Sequence, residues 1–408
     1  MVKLYPVLET VDICYGYRYG WLEKLLEVAD TIMLRPEPVL GEAFKRRLTL
    51  ARYLAWKCNV PLDVVGKLKI MLDHGIYVDG ETFAKTFHVP KTPKALVELY
   101  SVLGVDYGLA YDVPAQLHVD AAVEIAVSKM FGRQPNKKML RAIHPALKQC
   151  VEHLADTLLA HTNKHTTPAN AKRAMHALLR EGKHPELREA LRNLSQKSIE
   201  ETVRNLEQQL EYKVKTDAKF TLVPVVQGLF EDHARECLQT TIDLLATHRE
   251  LLVDGGERYA YIAIGTSGRG LTEEETKTVN RLMVVGAEHA RRLGLKTRYH
   301  LLGWSSPKTA QKLTTKLIYS CDSLTPRRRA VEGKVYIVEG GRVRLVNVAK
   351  IDPSTWTCKC PVCRDPKLKQ YVLDSSGARR NDARIIHNVY VLQKHVLTRR
   401  TLNLLSFL

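Results

Sequence analysis

Short apolar runs rich in β-branched and aromatic residues recur along the chain. Between them lie segments whose apolar residues return every three or four positions. The first two runs are TVDICYGY and DTIMLRP. Six more follow, and each meets a residue with a special use at its end: KLKIML meets Asp73, YGLAY Asp112, FTLVPVV Gln227, YAYIAI Gly265, TRYHLL Gly303 and KLIYSC Asp322. The intervening WLEKLLEVA, FKRRLTLARYLAWK and ETKTVNRLMVVGAEHARRLG carry an apolar stripe opposite charged residues, the mark of surface helices. Strands alternating with helices predict a parallel sheet, and about eight such units predict an α/β fold of the (β/α)8 TIM-barrel type over residues 1–335. Such barrels build their active sites at the carboxyl ends of the strands, where these polar residues and glycines fall.

Residues 117–219 break the rhythm. KKMLRAIHPALKQCVEHLADTLLAHTNKH and SIEETVRNLEQQLEYKVK read as helices, so this stretch is expected to be a helical insertion in the barrel. His144, His153, His161 and His165 lie in it at near-helical spacing. No carboxylate cluster accompanies them, which favours a solvated basic face over a metal site.

Charge and cysteine usage add a partner and a metal. The 62 Lys and Arg outnumber the 44 Asp and Glu, giving a net charge of +18. That excess points to a polyanion, most simply nucleic acid, over the alternative of a merely solvated surface. No apolar run approaches the roughly 18 residues a bilayer span needs, and MVKLYPVLETVDIC lacks the features of a signal peptide. A cytoplasmic protein with no membrane partner is expected. Cys14, Cys58, Cys150, Cys237 and Cys321 stand singly and are expected to be reduced. Cys358, Cys360 and Cys363 cluster in TWTCKCPVCRDP, and His387 follows in ARIIHNVYV. Three thiolates and an imidazole suit tetrahedral Zn2+ and leave no open coordination position, so the site is expected to be structural. His395, two helical turns further on, is the rival fourth ligand. Residues 336–408 are then a zinc-binding subdomain whose terminal helix packs on the barrel.

The C-x-C-x2-C cluster with its later His-Asn resembles the zinc subdomain of the tRNA-guanine transglycosylases. These are (β/α)8 barrels that exchange a guanine in a polynucleotide for a 7-deazaguanine base. Other blocks resemble the family in its order: KIMLDHGIY, YGLAYDVP, VPVVQG, YIAIG, YHLLGWSSP and CDSLTPRRRA. The resemblance implies Asp322 as the nucleophile that holds the sugar as a covalent ester, with Asp73 as general acid and base. It implies Asp112 as the acceptor for the amidine edge of guanine, and Gln227 with Gly228 as the segment that reads the six-oxo group. Gly265 would offer a backbone N–H. Arg327, Arg328 and Arg329, beside the nucleophile loop, would clamp phosphates. Tyr77 would stack on a base or fill the core. The chain departs from the family pattern at His74-Gly75-Ile76 and at Thr266-Ser267, which puts the identity of the inserted base in doubt. The large insertion is unlike the ordinary tRNA enzymes, and the extra C-terminal RNA-binding domains of the archaeosine enzymes are not expected here. Both features resemble the branch that modifies DNA, so DNA and tRNA stay open as substrates, with guanine or a preQ0-like base as the small partner. A homodimer is frequent in the family. The competing readings are a catalytically silent nucleic-acid-binding paralogue and an unrelated barrel hydrolase with a zinc staple.

Overall fold

The computed structural model describes residues 2–75, 79–162, 167–254, 257–265, 273–303, 317–374 and 381–397. Its centre is a ring of parallel strands: β1 (Lys3–Leu8), β2 (Thr31–Leu34), β3 (Lys69–Leu72), β4 (Tyr107–Leu109), β5 in two halves (Thr221–Val223 and Val225–Val226), β6 (Glu257–Ile264), β7 (Lys296–Leu301) and β8 (Ile318–Ser323). β1 lies between β2 and β8, with Tyr5 opposite Asp322. The two halves of β5 close the ring. The first pairs with β4 and the second with β6. Pro224 divides them because it has no N–H for a ladder; its carbonyl still accepts the N–H of Ala263 at 2.8 Å. The result is the expected TIM barrel.

Strand burial explains the apolar runs. Leu4 to Leu8 are all buried, because a barrel strand packs on the interior with one face and on helices with the other. Tyr5, Val7, Met33, Met71, Leu109, Val223, Val225, Tyr261 and Ala263 fill the interior. The first strand is KLYPVL and not the expected TVDICYGY, which forms the helix Thr10–Arg18. A capping box decides this: Glu9 caps the first turn, and the Asp12 carboxylate takes the Glu9 N–H at 2.8 Å. Thr10, Ile13 and Gly16 then bury one helical face.

Between β4 and β5 the described residues form the helices Ala115–Met130, Lys137–Ala142, Lys148–His161, Pro168–Glu181 and Pro185–Thr216. They enclose a core of their own that includes Val119, Val123, Val151, Leu154, Leu158, Met175 and Leu194. Of the four histidines noted there, His153 is exposed, His161 pairs with Glu186 at 3.0 Å, and His165 lies outside the described residues. His144 departs from the solvated-face expectation: it is half-buried, 3.8 Å from Glu201, and faces the barrel mouth.

After β8 come the helix Thr325–Val331, the hairpin Lys334–Glu339 with Arg342–Asn347, the short helices Pro361–Arg364 and Pro366–Leu373, and the helix Asn381–Val391. Further on, Gln393 reaches back to the start of β1. It accepts the Leu4 N–H at 2.7 Å and donates to the Val2 carbonyl at 2.8 Å. One cysteine expectation fails. Cys14 and Cys58 are joined in a disulfide, because the helices Thr10–Arg18 and Leu50–Cys58 bring their Cα atoms to 5.3 Å across 44 residues of sequence.

Candidate active site and metal centre

The three acidic residues expected to do chemistry share the carboxyl end of the barrel. Asp322 is the penultimate residue of β8. Asp73 directly follows β3, and Asp112 stands three residues after β4.

Asp322 is 5% exposed. Its Oδ1 accepts the Gly303 N–H at 2.8 Å and lies 3.2 Å from Nε2 of His300, on β7. Among the described residues its Oδ2 makes no hydrogen bond. Asp73 is fixed by its own N–H to the Leu34 carbonyl at 3.0 Å, and its carboxylate accepts the Gly75 N–H at 3.1 Å. Gly75 has φ +70°, a conformation glycine adopts freely and that turns the chain sharply behind Asp73.

Asp112 is buried, and its Oδ1 meets Nε2 of His74 at 2.5 Å. His74 thus ties the loop after β4 to the loop after β3. Lys91 joins them: Nζ donates to the Gly75 carbonyl at 2.7 Å and sits 5.3 Å from the Tyr111 ring centre. Burial pulls its ammonium down to about 8, against the opposing pull of Asp73, Asp112 and Asp79. A cavity of about 400 Å³ opens between these loops and the inserted helices, lined by His74, Lys91, Tyr111, Asp112, Arg141 and His144 among others.

Gln227 and Gly265 stand at the ends of their strands, but their hydrogen bonds are committed elsewhere. Both amide hydrogens of Gln227 are spent, on the Val113 carbonyl at 2.6 Å and the Thr202 hydroxyl at 2.7 Å, while its oxygen accepts the Ala115 N–H at 3.0 Å. Thr202 also accepts the Val113 N–H, Ser198 donates to the Val113 carbonyl, and Gln209 accepts the Tyr111 N–H at 2.8 Å. In this arrangement Gln227 does not face a base. With the long Pro185–Thr216 helix it holds the loop that carries Asp112. The N–H of Gly265 extends the barrel ladder to the Val226 carbonyl at 2.9 Å, so the expectation of a free donor there is corrected as well. Gly228 is needed for closeness: a Cβ would lie 2.5 Å from the Ala234 nitrogen. Tyr77, Thr266 and Ser267 lie outside the described residues.

The arginine run is more engaged than expected. Arg327 binds Glu9 at 2.9 Å and Asp12 at 3.1 Å, on the loop and helix after β1. Arg328 and Arg329 both reach Glu332, at 3.3 and 2.7 Å. Arg328 is 72% exposed, and an exposed pair of this kind is exchanged for another anion at little cost.

At the metal cluster, the ligand atoms of Cys358, Cys360, Cys363 and His387 all lie within 4.8 Å of one another. Nδ1 of His387 is 3.4, 3.5 and 3.7 Å from the three sulfurs. Its Nε2–H donates to the Tyr336 carbonyl at 2.7 Å, which leaves the Nδ1 lone pair aimed at the cluster. The backbone N–H groups of Cys360 and Cys363 point at sulfurs, and the Trp356 indole N–H donates to Cys363 at 3.2 Å. These donors suit thiolates, so the residues present fit a bound tetrahedral metal. Asn388, the next residue, is fully buried. It accepts the Tyr336 N–H at 2.9 Å and donates to the carbonyls of Pro326 and Lys334, both at 3.2 Å.

Lys91, His300, Ser320 and Tyr261 are the residues that sequence reasoning passed over, and His74 was noted only as a departure from the family pattern, not as a partner of Asp112. His300 had a signal, a titratable residue in the buried half of its strand between Tyr299 and Leu301. Lys91 had none.

A (β/α)8 barrel with a Cys3His cluster able to hold a metal and carboxylates gathered at its mouth is the class that fold and site define. The family model described as queuine tRNA-ribosyltransferase, TGT, matches residues 184–401, more than half of the chain. The chain belongs to this family, whose members are glycosyltransferases that exchange guanine in nucleic acid. No curated protein matches the chain.

Proposed function

We propose that the protein exchanges a guanine in a polynucleotide for a 7-deazaguanine base through a covalent Asp322–sugar ester. The carrying observation is the state of the Asp322 carboxylate. One oxygen is anchored by Gly303 and faces His300, the other makes no hydrogen bond among the described residues, and the whole group sits at the same barrel end as Asp73 and Asp112.

In the first half-reaction Oδ2 of Asp322 bonds to C1′ as the C1′–N9 bond breaks, and Asp73 delivers a proton to the departing base. In the second, Asp73 takes a proton from the incoming base, whose nitrogen attacks C1′ and releases the Asp322 carboxylate. Two displacements retain configuration, as in double-displacement glycosidases. Asp112 binds the base edge with Oδ2, since Oδ1 is held by His74. The metal is zinc, and it holds the C-terminal lobe without taking part in the reaction. Arg328 contributes a phosphate contact.

The test is incubation with radiolabelled guanine and either bulk tRNA or duplex DNA, repeated with Asp322→Ala. Label entering one polymer names the substrate, and the variant is expected to incorporate none. Nucleic-acid binding without incorporation by the unmodified protein would establish the silent-paralogue reading instead. Metal analysis should return one zinc per chain.

A further inference from the structure

Asp322 ends a chain of buried polar groups that crosses the barrel interior. His300, fully buried, places Nε2 at 3.2 Å from Asp322 Oδ1 and Nδ1 at 2.7 Å from the Ser320 hydroxyl. Ser320 is 2.5 Å from the Tyr261 hydroxyl, and Tyr261 is 3.4 Å from the hydroxyl of Tyr5. The imidazole is held between two rings, with centroids 5.4 Å from Tyr5 and 6.3 Å from Tyr261. Burial pushes the Tyr261 hydroxyl well above its ordinary range and the Tyr5 hydroxyl up, so both stay protonated.

With a neutral ring, donor inventory gives this chain one direction. An ionised carboxylate only accepts, so it requires Nε2–H from the ring. A neutral imidazole then presents a lone pair at Nδ1, which takes the Ser320 hydroxyl hydrogen. The Ser320 oxygen in turn takes the Tyr261 hydrogen at 2.5 Å, the nearer of the two acceptors open to that hydroxyl, the other being the Tyr5 oxygen at 3.4 Å. The contacts from Asp322 through His300 and Ser320 to Tyr261 are then satisfied with one tautomer and no added charge.

We propose that His300 is a positioning residue for the nucleophile: its Nε2–H, locked in that tautomer by Ser320 and Tyr261, holds Asp322 Oδ1 so that Oδ2 faces the sugar. This rests on Asp322 being the nucleophile. The same N–H and that of Gly303 then bind Oδ1 as the carbonyl oxygen of the sugar ester. They stabilise the carboxylate as it leaves in the second half-reaction. Oδ1 thus has two donors, as an oxyanion site does.

The test combines rates with a direct view of the ring. In ¹⁵N-labelled protein the His300 resonances should report a neutral Nε2–H ring, and Ser320→Ala should mix the tautomers. A doubly protonated ring or an Nδ1–H ring in the unmodified protein overturns the proposal, and this readout does not depend on activity. In guanine exchange, His300→Phe should lower kcat about 100-fold, the scale for losing one preorganised donor, with nucleic-acid affinity unchanged. His300→Gln keeps an N–H near the Nε2 position and should recover activity to within about tenfold of the unmodified protein. Ser320→Ala should cost about tenfold when His300 is intact and almost nothing in the His300→Gln background, because an amide has no tautomer to lock. Equal costs in the two backgrounds, or kcat falling only with the folded fraction, overturns the positioning role. Absence of exchange in the unmodified protein would refute the transferase reading itself, with the tautomer result standing apart.

Discussion

Asn388→Ala isolates what joins the C-terminal lobe to the helix that follows Asp322. The amide is fully buried and serves three backbone groups: the Tyr336 N–H in the hairpin, the Lys334 carbonyl beside it, and the Pro326 carbonyl in the helix that follows Asp322. Truncation orphans the Tyr336 N–H, at about 1–3 kcal/mol, and removes two further hydrogen bonds worth about 0.5–1.5 kcal/mol each. The expected loss is about 3 kcal/mol, roughly a 150-fold change in the unfolding equilibrium. It should concentrate in the C-terminal lobe, because Tyr336 also accepts from His387 of the Cys3His cluster. The assay is zinc release into a chromogenic chelator across a guanidinium series. Asn388→Asp is the companion variant: it keeps the acceptor for Tyr336 but sets an anion against two carbonyls, so it should lose at least as much at pH 7. If Asn388→Ala releases zinc within about 0.5 kcal/mol of the unmodified protein, the claim that this side chain couples the two elements is wrong.

Gly228→Ala forces its Cβ against the first turn of the Glu231–Thr247 helix and should cost about 3 kcal/mol in a denaturant titration; an unchanged midpoint would mean that the helix yields freely. Arg328→Ala should flatten the log–log salt dependence of nucleic-acid binding by about 0.9, whereas Arg327→Ala, already paired with Glu9 and Asp12, should leave the slope as it is; equal slopes for both variants would refute that division. Burial, reinforced by the Asp12 carboxylate and opposed by Arg327, pushes Asp382 up to about 7. The fold therefore holds a proton that the unfolded chain releases near pH 4, and this contribution is full below that pH and lost as pH rises through 7. Asp382→Asn should accordingly be more stable than the parent at pH 8, by on the order of 2–4 kcal/mol, with the difference vanishing near pH 4, and a constant difference across that range would refute the assignment.

The barrel was legible because parallel strands are buried on both faces and read as unbroken apolar runs. Seven of the eight runs became strands. The eighth failed because TVDICYGY has β-prone composition but a capping box at Glu9 and Asp12, and the cap prevailed. The Cys3His cluster was legible because three of its members are local in sequence. What was hidden is whatever depends on packing across the barrel. Nothing in VPVVQG tells that the Gln227 amide is spent on Val113 and Thr202, since those partners lie 114 and 25 residues away. The His74–Asp112 pair was hidden for the same reason, as was the Cys14–Cys58 bridge.

The pairing of β1 with β8 places residue 3 opposite residue 320. During synthesis the first strand therefore has one edge satisfied by β2 while the other waits for nearly 290 further residues to emerge. Until the eighth strand arrives, that row of unpaired amides is open to strands from other nascent chains. Closure of the ring is a late event of high contact order. It also completes the cluster of carboxylates at the barrel mouth, because Asp322 arrives on the last strand.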